Sequence, residues 1–162
     1  MSAGNWSFLE DDYRRISRQL SVLARDAAAR TTLLVDRSGQ LIAFSGEEPQ
    51  FDTNAFASLS AADFAANDHL ATLIGEPEFS SLYHQGEKES MYLADIRKRA
   101  ILVVLFDDRT TLGLVRLRVK QAVKELDLIF GDIFAGLDRT RGGMGGEFTA
   151  EVEDEIDNLF RE

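Results

Sequence analysis

The segment TTLLVDRSGQLIAFSG, residues 31–46, decides the fold more than any other part of the sequence. Two short runs with the composition of β-strands flank the tetrapeptide Asp36-Arg37-Ser38-Gly39. Aspartate accepts hydrogen bonds from nearby backbone amides, and glycine adopts the positive φ that tight turns need. The segment therefore predicts a β-hairpin that turns at residues 36–39.

A second group of extended runs lies within residues 79–107. The runs are FSSLYHQ, SMYLADI and AILVVLFD, and the short polar tripeptides Gly86-Glu87-Lys88 and Arg97-Lys98-Arg99 separate them. This pattern predicts a three-strand meander with two tight turns. Because the last run is apolar on both faces, we expect it to lie in the middle of the sheet.

Apolar residues at helical spacing predict one helix before the hairpin and another after the meander. The first stripe consists of Leu9, Tyr13, Ile16, Leu20, Leu23 and Ala27, and the second of Leu112, Val115, Val119, Ala122, Leu126 and Ile129. The later helix is widened by Leu114, Leu117, Leu128 and Phe130. It either has one broad buried face or also packs in a dimer, and we favour the dimer.

Residues 53–75 predict a further helix, which has two apolar faces. We assign the core to a stripe of Leu59, Ala62, Ala66, Leu70 and Leu73, with Phe56 at its edge. The opposite face carries Ala57, Ala61, Phe64, Ala65, Asp68 and Thr72. An ordinary solvent face would carry lysine and glutamate, so we expect this second face to contact a partner.

The order helix, hairpin, helix, meander, helix predicts an α+β sandwich in residues 1–138, with a five-stranded antiparallel sheet between helical layers. Residues 139–147 contain four glycines and predict a flexible linker. The last segment, residues 148–162, resumes helical spacing with Phe148, Val152, Ile156, Leu159 and Phe160. Residues 142–162 carry seven acids and one base, so we expect this tail to fold only against a partner.

Composition excludes several classes of function. The formal charge of −10 argues against nucleic acid and anionic membranes as partners. Zero cysteines excludes a disulfide scaffold, a thiol nucleophile and cysteine-based metal sites. The longest apolar run, AILVVLF at 100–106, is too short to span a membrane, and the N-terminus does not resemble a signal peptide. We expect a cytoplasmic protein without membrane insertion.

Few residues suggest catalysis or cofactor binding. Asp107 and Asp108 could form a metal site, but acids just before a helix more often stabilise its N-terminus. We interpret His84 as structural and His69 as an interface or solvent residue, and the glycines at 142–146 lack the lysine of a phosphate-binding loop. We therefore expect no cofactor, no metal and no catalytic centre.

Basic residues cluster between positions 97 and 120, where only two acids oppose them. They are Arg97, Lys98, Arg99, Arg109, Arg116, Arg118 and Lys120. The cluster is either a docking patch for an acidic surface, such as the tail of another copy, or a solvated hairpin and helix face. We favour the solvated surface.

Three strings carry a resemblance to a known family: LLVDRSGQLIAFSG (33–46), VVLFDDRTTLGLVRLRVK (103–120) and EIDNLF (155–160). With the order of elements, they resemble the Roadblock/LC7 family, and within it the bacterial members that act on small Ras-like GTPases. The resemblance implies a homodimer that activates such a GTPase by conformational selection, without an arginine finger, in cell polarity and motility. It places the protein in the cytoplasm, with a cell pole as one location.

The resemblance also implies where the GTPase binds. The second helices of the dimer form the platform, which corresponds here to Ala57, Ala61, Phe64, Ala65, Asp68 and His69. The tail would contact the GTPase elsewhere and aid its binding or nucleotide exchange. Two other hypotheses for the function stay open. One is a Roadblock scaffold that binds a GTPase or motility component without activating it, and the other is a small-molecule sensor.

Overall fold

A computed structural model describes the backbone of residues 10–143 and the side chains of residues 10–137. The elements in chain order are α1 (Glu10–Asp26), β1 (Thr31–Asp36), β2 (Leu41–Gly46), α2 (Thr53–Leu73), β3 (Ser81–Gln85), β4 (Ser90–Ile96), β5 (Ala100–Phe106) and α3 (Leu112–Gly143). This is the predicted α-ββ-α-βββ-α order, and the α+β fold is confirmed.

The five strands form one antiparallel sheet in the order β2-β1-β5-β4-β3. The apolar strand β5 lies at the centre, as its composition predicts. The hairpin turn also has the expected chemistry. Gly39 has a φ of +95°, and the Asp36 carboxylate accepts a hydrogen bond from the Gln40 amide at 3.0 Å.

Helices cover both faces of the sheet. On one face, α2 packs on a cluster that includes Leu33, Val35, Ile101 and Val103. On the other, Thr32 of β1 donates its hydroxyl to a backbone carbonyl of α1 at 2.8 Å. The α3 helix lies beside α1 on that second face, where it borders β4. Because side chains alternate along a strand, neighbouring residues of β1 serve opposite layers.

The stripe predicted for the third helix is confirmed. Its first member, Leu112, is half-buried, and the other five are buried: Val115, Val119, Ala122, Leu126 and Ile129. Leu117 and Leu128 are exposed. The exposed leucines leave apolar surface on α3 that the described protomer does not cover. They agree with the interpretation that α3 has more apolar surface than one sheet face requires.

The end of α3 differs from the expectation. The helix continues to Gly143, so residues 139–143 of the expected linker are helical. The sequence LDRTR before Gly142 has ordinary helix propensity, and only the following glycines disfavour a helix. The described residues fall into two compact units that divide inside α3, between Ile129 and Phe130. The remainder of the linker and the tail lie outside the described residues.

Candidate partner-binding surface

The α2 helix has well-defined ends. Asp52 caps its N-terminus, since its carboxylate accepts from the amides of Asn54 at 3.0 Å and Ala55 at 3.1 Å. At the other end Gly75 takes a φ of +82°, a conformation that glycine adopts without strain and that commonly follows a helix. The 21 residues between these signals form one continuous helix with a face toward the sheet and a face away from it.

The face of α2 that packs on the sheet is the one predicted to contact a partner. Ala57 and Phe64 are fully buried and Ala61 is 7% exposed, and all three belong to the cluster with Leu93 and Val103. The prediction that these three residues face a partner is wrong. In this protomer they are core residues.

The stripe predicted as core faces outward instead. Leu59 is 70% exposed, Leu70 56% and Leu73 81%, and the alanines between them are exposed as well. We call this surface the leucine face: Leu59, Ala62, Ala66, Leu70 and Leu73. Of the predicted platform, Ala65 and His69 are exposed beside the leucine face, and Asp68 is half-buried.

Helical periodicity did not distinguish the two faces, because both stripes are apolar and both recur every three or four residues. The sheet selects the face with one large ring between small residues, which lets the helix approach closely. The approach is tight at the hairpin turn, where a Cβ at Gly39 would lie 3.1 Å from the Cα of Ser58. Phenylalanine is among the residues most often fully buried, and Phe64 was the signal available for the correct assignment.

An ion network fixes the rotation of α2 on the sheet. Arg37, in the hairpin turn, donates to Asp68 of α2 at 2.8 Å and to Asp95 of β4. Its guanidinium carbon lies 4.9 Å from the ring centroid of Phe64. Burial by itself would lower the pKa of Arg37, but the hydrogen bonds and charges of Asp95 and Asp68 outweigh it and raise the pKa. The side chain is 22% exposed and stays charged.

A second polar contact joins α2 to the edge of the sheet. His84 of β3 lies with its Nε2 atom 2.6 Å from the carboxylate of Asp63. The imidazole ring is exposed at the sheet edge. Its contact with Asp63 agrees with the interpretation of His84 as a structural residue. The contact places α2 beside the edge strand β3.

The candidate metal-binding residue Asp107 is occupied by structural contacts. The Asp107 carboxylate accepts from the backbone amide and the side chain of Arg109, which lowers the pKa of Asp107 and raises that of Arg109. Arg109 also pairs with Glu47 at 3.3 Å. Within residues 10–143, no three His, Cys, Asp or Glu side chains gather as a metal site would require. In the same part of the chain, no helix combines the length and apolarity of a membrane span.

The structure divides the basic cluster. Arg97 pairs with Asp127 at 2.9 Å and Lys98 with Glu78 at 2.5 Å, so these two cations of the β4–β5 turn have partners. Arg116 and Lys120 instead line a groove between α3 and the sheet. The predicted tail residues Phe148, Val152, Ile156, Leu159 and Phe160 lie outside the described residues.

Comparison with known proteins matches the Roadblock/LC7 domain family over residues 16–106. Three solved structures are similar over most of their length. Myxococcus xanthus MglB is 44% identical with a TM-score of 0.74, and the match covers 78% of this chain and 96% of that one. The gliding protein MglB of Thermus thermophilus is 32% identical with a TM-score of 0.72, covering 80% and 97%.

A further MglB, solved in a tetrameric arrangement, is 31% identical with a TM-score of 0.74, covering 82% of this chain and 99% of that one. The likeness therefore includes sequence as well as backbone. The chain belongs to the Roadblock/LC7 domain family, and the solved structures that it resembles at 31–44% identity are MglB proteins.

Proposed function

We propose that this protein is a homodimeric activator of a small Ras-like GTPase of the MglA type, acting in bacterial cell polarity and motility. The observation that carries the proposal is the leucine face of α2. Leu59, Leu70 and Leu73 are each more than half exposed on a helix that is capped and held in place by Arg37. A contiguous exposed apolar stripe on a rigid helix is typical of a protein interface.

The leucine face also has the composition of a close contact surface. Ala62 and Ala66 separate the leucines, so a partner backbone can approach the helix between the larger side chains. Ala65 and His69 lie at its margin and extend it. The leucines supply apolar area, and burial of such area contributes a favourable free energy of about 25 cal/mol for each Å² removed from water. The alanines keep the surface flat enough for a partner to exclude water.

The two protomers of the proposed dimer would pair along β3, which is an edge strand of the sheet. In the protomer β3 pairs only with β4 among the described strands, so its outer edge has unpaired backbone groups. Such edges pair readily with a second strand. The contact between His84 and Asp63 puts α2 next to this edge, so pairing of two β3 strands would bring two leucine faces together. The platform of the proposed dimer would then be formed by both α2 helices.

Activation would follow from selection of one GTPase conformation. The described residues offer no convergent catalytic set, and an activator need not supply one if the GTPase carries its own catalytic groups. A surface that binds the hydrolysis-competent conformation more tightly shifts the population toward it. Each 1.4 kcal/mol of difference in binding free energy between the two conformations changes the ratio of their populations about tenfold. The tail would aid GTPase binding or nucleotide exchange from a second contact.

Single-turnover hydrolysis of GTP by the cognate GTPase, with and without the full chain, tests the proposal. We expect an increase in rate that saturates with the concentration of this protein. The variant Ala66→Arg should lose the increase, while Ser21→Arg, on exposed α1, should keep it. Saturable binding without faster GTP hydrolysis would favour the alternative hypothesis, a Roadblock scaffold that binds the GTPase without activating it.

A further inference from the structure

The proposed function does not use the groove between α3 and the sheet. The groove has a volume of about 630 Å³, and all of its lining residues belong to the compact unit that ends at Ile129. Tyr92 and Ala94 of β4 lie in its floor and are buried, whereas Leu93 between them packs in the cluster under α2. Because side chains alternate along a strand, the groove lies on the sheet face opposite α2. An occupant of the groove therefore leaves the leucine face free.

One wall of the groove is basic. Arg116, Lys120 and Lys124 follow one another at intervals of four residues along α3, and all three are exposed. Like charges at this spacing on a helix repel one another, and within the described residues none of the three forms an ion pair. The acid that lines the groove, Asp95, is bound to Arg37. The wall thus keeps three uncompensated positive charges in a protein whose formal charge is −10.

The rest of the α3 wall is apolar. Val119 is buried and Val123 half-buried, and each of them directly precedes a lysine of the basic row. Leu117 also lines the groove, but it is 53% exposed because no other part of the described protomer covers it. An apolar centre with a polar, charged rim is the usual composition of a protein interface. The groove therefore fits an occupant whose apolar surface is bordered by negative charges.

The floor of the groove determines the conformation of such an occupant. The floor strand β4 is paired on both sides, with β3 and with β5, so the sheet already satisfies its backbone N–H and C=O groups. An extended chain on this floor would find no backbone partners and would leave its own N–H and C=O groups unpaired. A helix pairs these groups internally. The groove therefore favours a helical occupant over an extended one.

We propose that this groove is the docking site for an acidic amphipathic helix of another protein. The apolar stripe of that helix would cover Leu117, Val123 and the floor, as in other complexes in which a helix binds in a groove. Acids at intervals of four residues rise about 6 Å per step, the same step as Arg116, Lys120 and Lys124. The overall negative charge repels acidic partners elsewhere, so the basic wall both selects the helix and directs it to this groove.

Calorimetric titration of the full chain with a synthetic peptide tests this proposal. The probe is a helix of about 18 residues, long enough to be helical in water, with a leucine stripe bordered by glutamate at every fourth position. We expect saturable binding with a dissociation constant in the micromolar range. A matched peptide with lysine in place of glutamate should bind at least about tenfold more weakly. Absence of binding, or equal binding of the two peptides, would overturn the proposal.

Charge reversal in the groove tests the role of the basic wall. Lys120→Glu with Lys124→Glu should weaken binding of the acidic peptide by about tenfold and strengthen binding of the lysine peptide. The control is Arg14→Glu with Arg18→Glu, which makes the same charge change at the same spacing on exposed positions of α1. Circular dichroism and thermal melting confirm that both variants are folded. Equal losses of affinity in the two variants would show a general charge effect, and the proposal would be wrong.

A fluorophore in the groove locates the bound peptide, and the absence of native cysteines allows attachment at one chosen position. With the label on Leu117→Cys, we expect the acidic peptide either to shift the emission or, if the label fills the groove, to lose its affinity. The control label on Ser21→Cys, at an exposed position of α1, should change neither emission nor affinity. Normal affinity with unchanged emission at both positions would place the peptide outside the groove and overturn the proposal.

Discussion

Arg37 and Asp68 are 31 residues apart in sequence, yet the arginine donates to the aspartate at 2.8 Å and joins the hairpin turn to α2. The same arginine binds Asp95 of β4 and lies over the ring of Phe64. One side chain therefore connects a turn, a helix and a strand. Together with the packing of Phe64, it holds one face of α2 against the sheet and leaves the leucine face exposed.

Replacement of Arg37 should destabilise the fold. In Arg37→Met the carboxylates of Asp68 and Asp95 would lose their partner in a largely buried site, and we expect a loss of about 2–4 kcal/mol in the free energy of unfolding. The matched control is Arg14→Met, which breaks an exposed pair with Glu10 and should cost about 0–1 kcal/mol. Urea unfolding measures both. Equal losses would mean that the Arg37 network contributes nothing beyond a surface pair.

The two faces of α2 should respond to substitution in opposite ways. Ala66→Arg places a cation on the leucine face, and we expect GTPase binding to weaken by about tenfold or more while stability is unchanged. Phe64→Ala opens the core and should cost about 3–5 kcal/mol of stability. Thermal melting and a binding titration separate the two effects. Normal binding by Ala66→Arg would place the contact elsewhere.

The protein should be a dimer that depends on the edge of β3. Gly86 donates to Glu89 and Asp95 to Ser80, and this alternation points the amide of Gln85 away from β4. Gln85→Pro removes that amide and should shift the protein toward monomer without breaking the β3–β4 ladder. The control is Gln85→Ala. Sedimentation at micromolar concentration measures the state, and a wild-type monomer would contradict the dimer and the two-helix platform.

The C-terminal segment should strengthen GTPase binding without holding the dimer together. Because the segment belongs to the same chain, it is held at about millimolar effective concentration near the GTPase once the domain is bound. Deletion of residues 147–162 should weaken binding by roughly tenfold, and Ile156→Ala with Phe160→Ala should reproduce the loss. Added salt should weaken the full chain more than the truncated one. Identical affinities at low salt would assign the segment another role.

Acid should remove part of the stability that Glu47 supplies. Hydrogen bonds from Arg30 and Arg109 lower the pKa of Glu47 below its ordinary value of 4.5. A carboxyl with a lowered folded pKa stabilises the protein above the unfolded value and stops doing so as pH falls through the folded one. Glu47→Gln should therefore flatten the loss of stability below pH 4.5 relative to the wild-type protein. Thermal melts of both proteins between about pH 3 and 7 measure the difference, and parallel curves would contradict the prediction.

The elements of this fold were predictable because each carries a local signal. Asp36 and Gly39 mark the hairpin turn, β5 is apolar on both faces, and the stripe beginning at Val115 fits one buried face of a helix. In each case the periodicity or turn chemistry admits one interpretation. The end of α3 was less predictable, since residues 137–141 have ordinary helix propensity and the helix continues past the expected boundary at residue 138.

The sequence by itself determined the order of elements, the central place of β5 and the existence of two apolar faces on α2. Only the tertiary structure decided which of those faces is buried. Leu59 and Phe64 belong to stripes of equal period, so helical spacing carries no information about their direction. The sheet supplies that information through its shape, which accepts a phenylalanine between alanines, and through Arg37, which pairs with Asp68 of α2 as well as with Asp95 of β4.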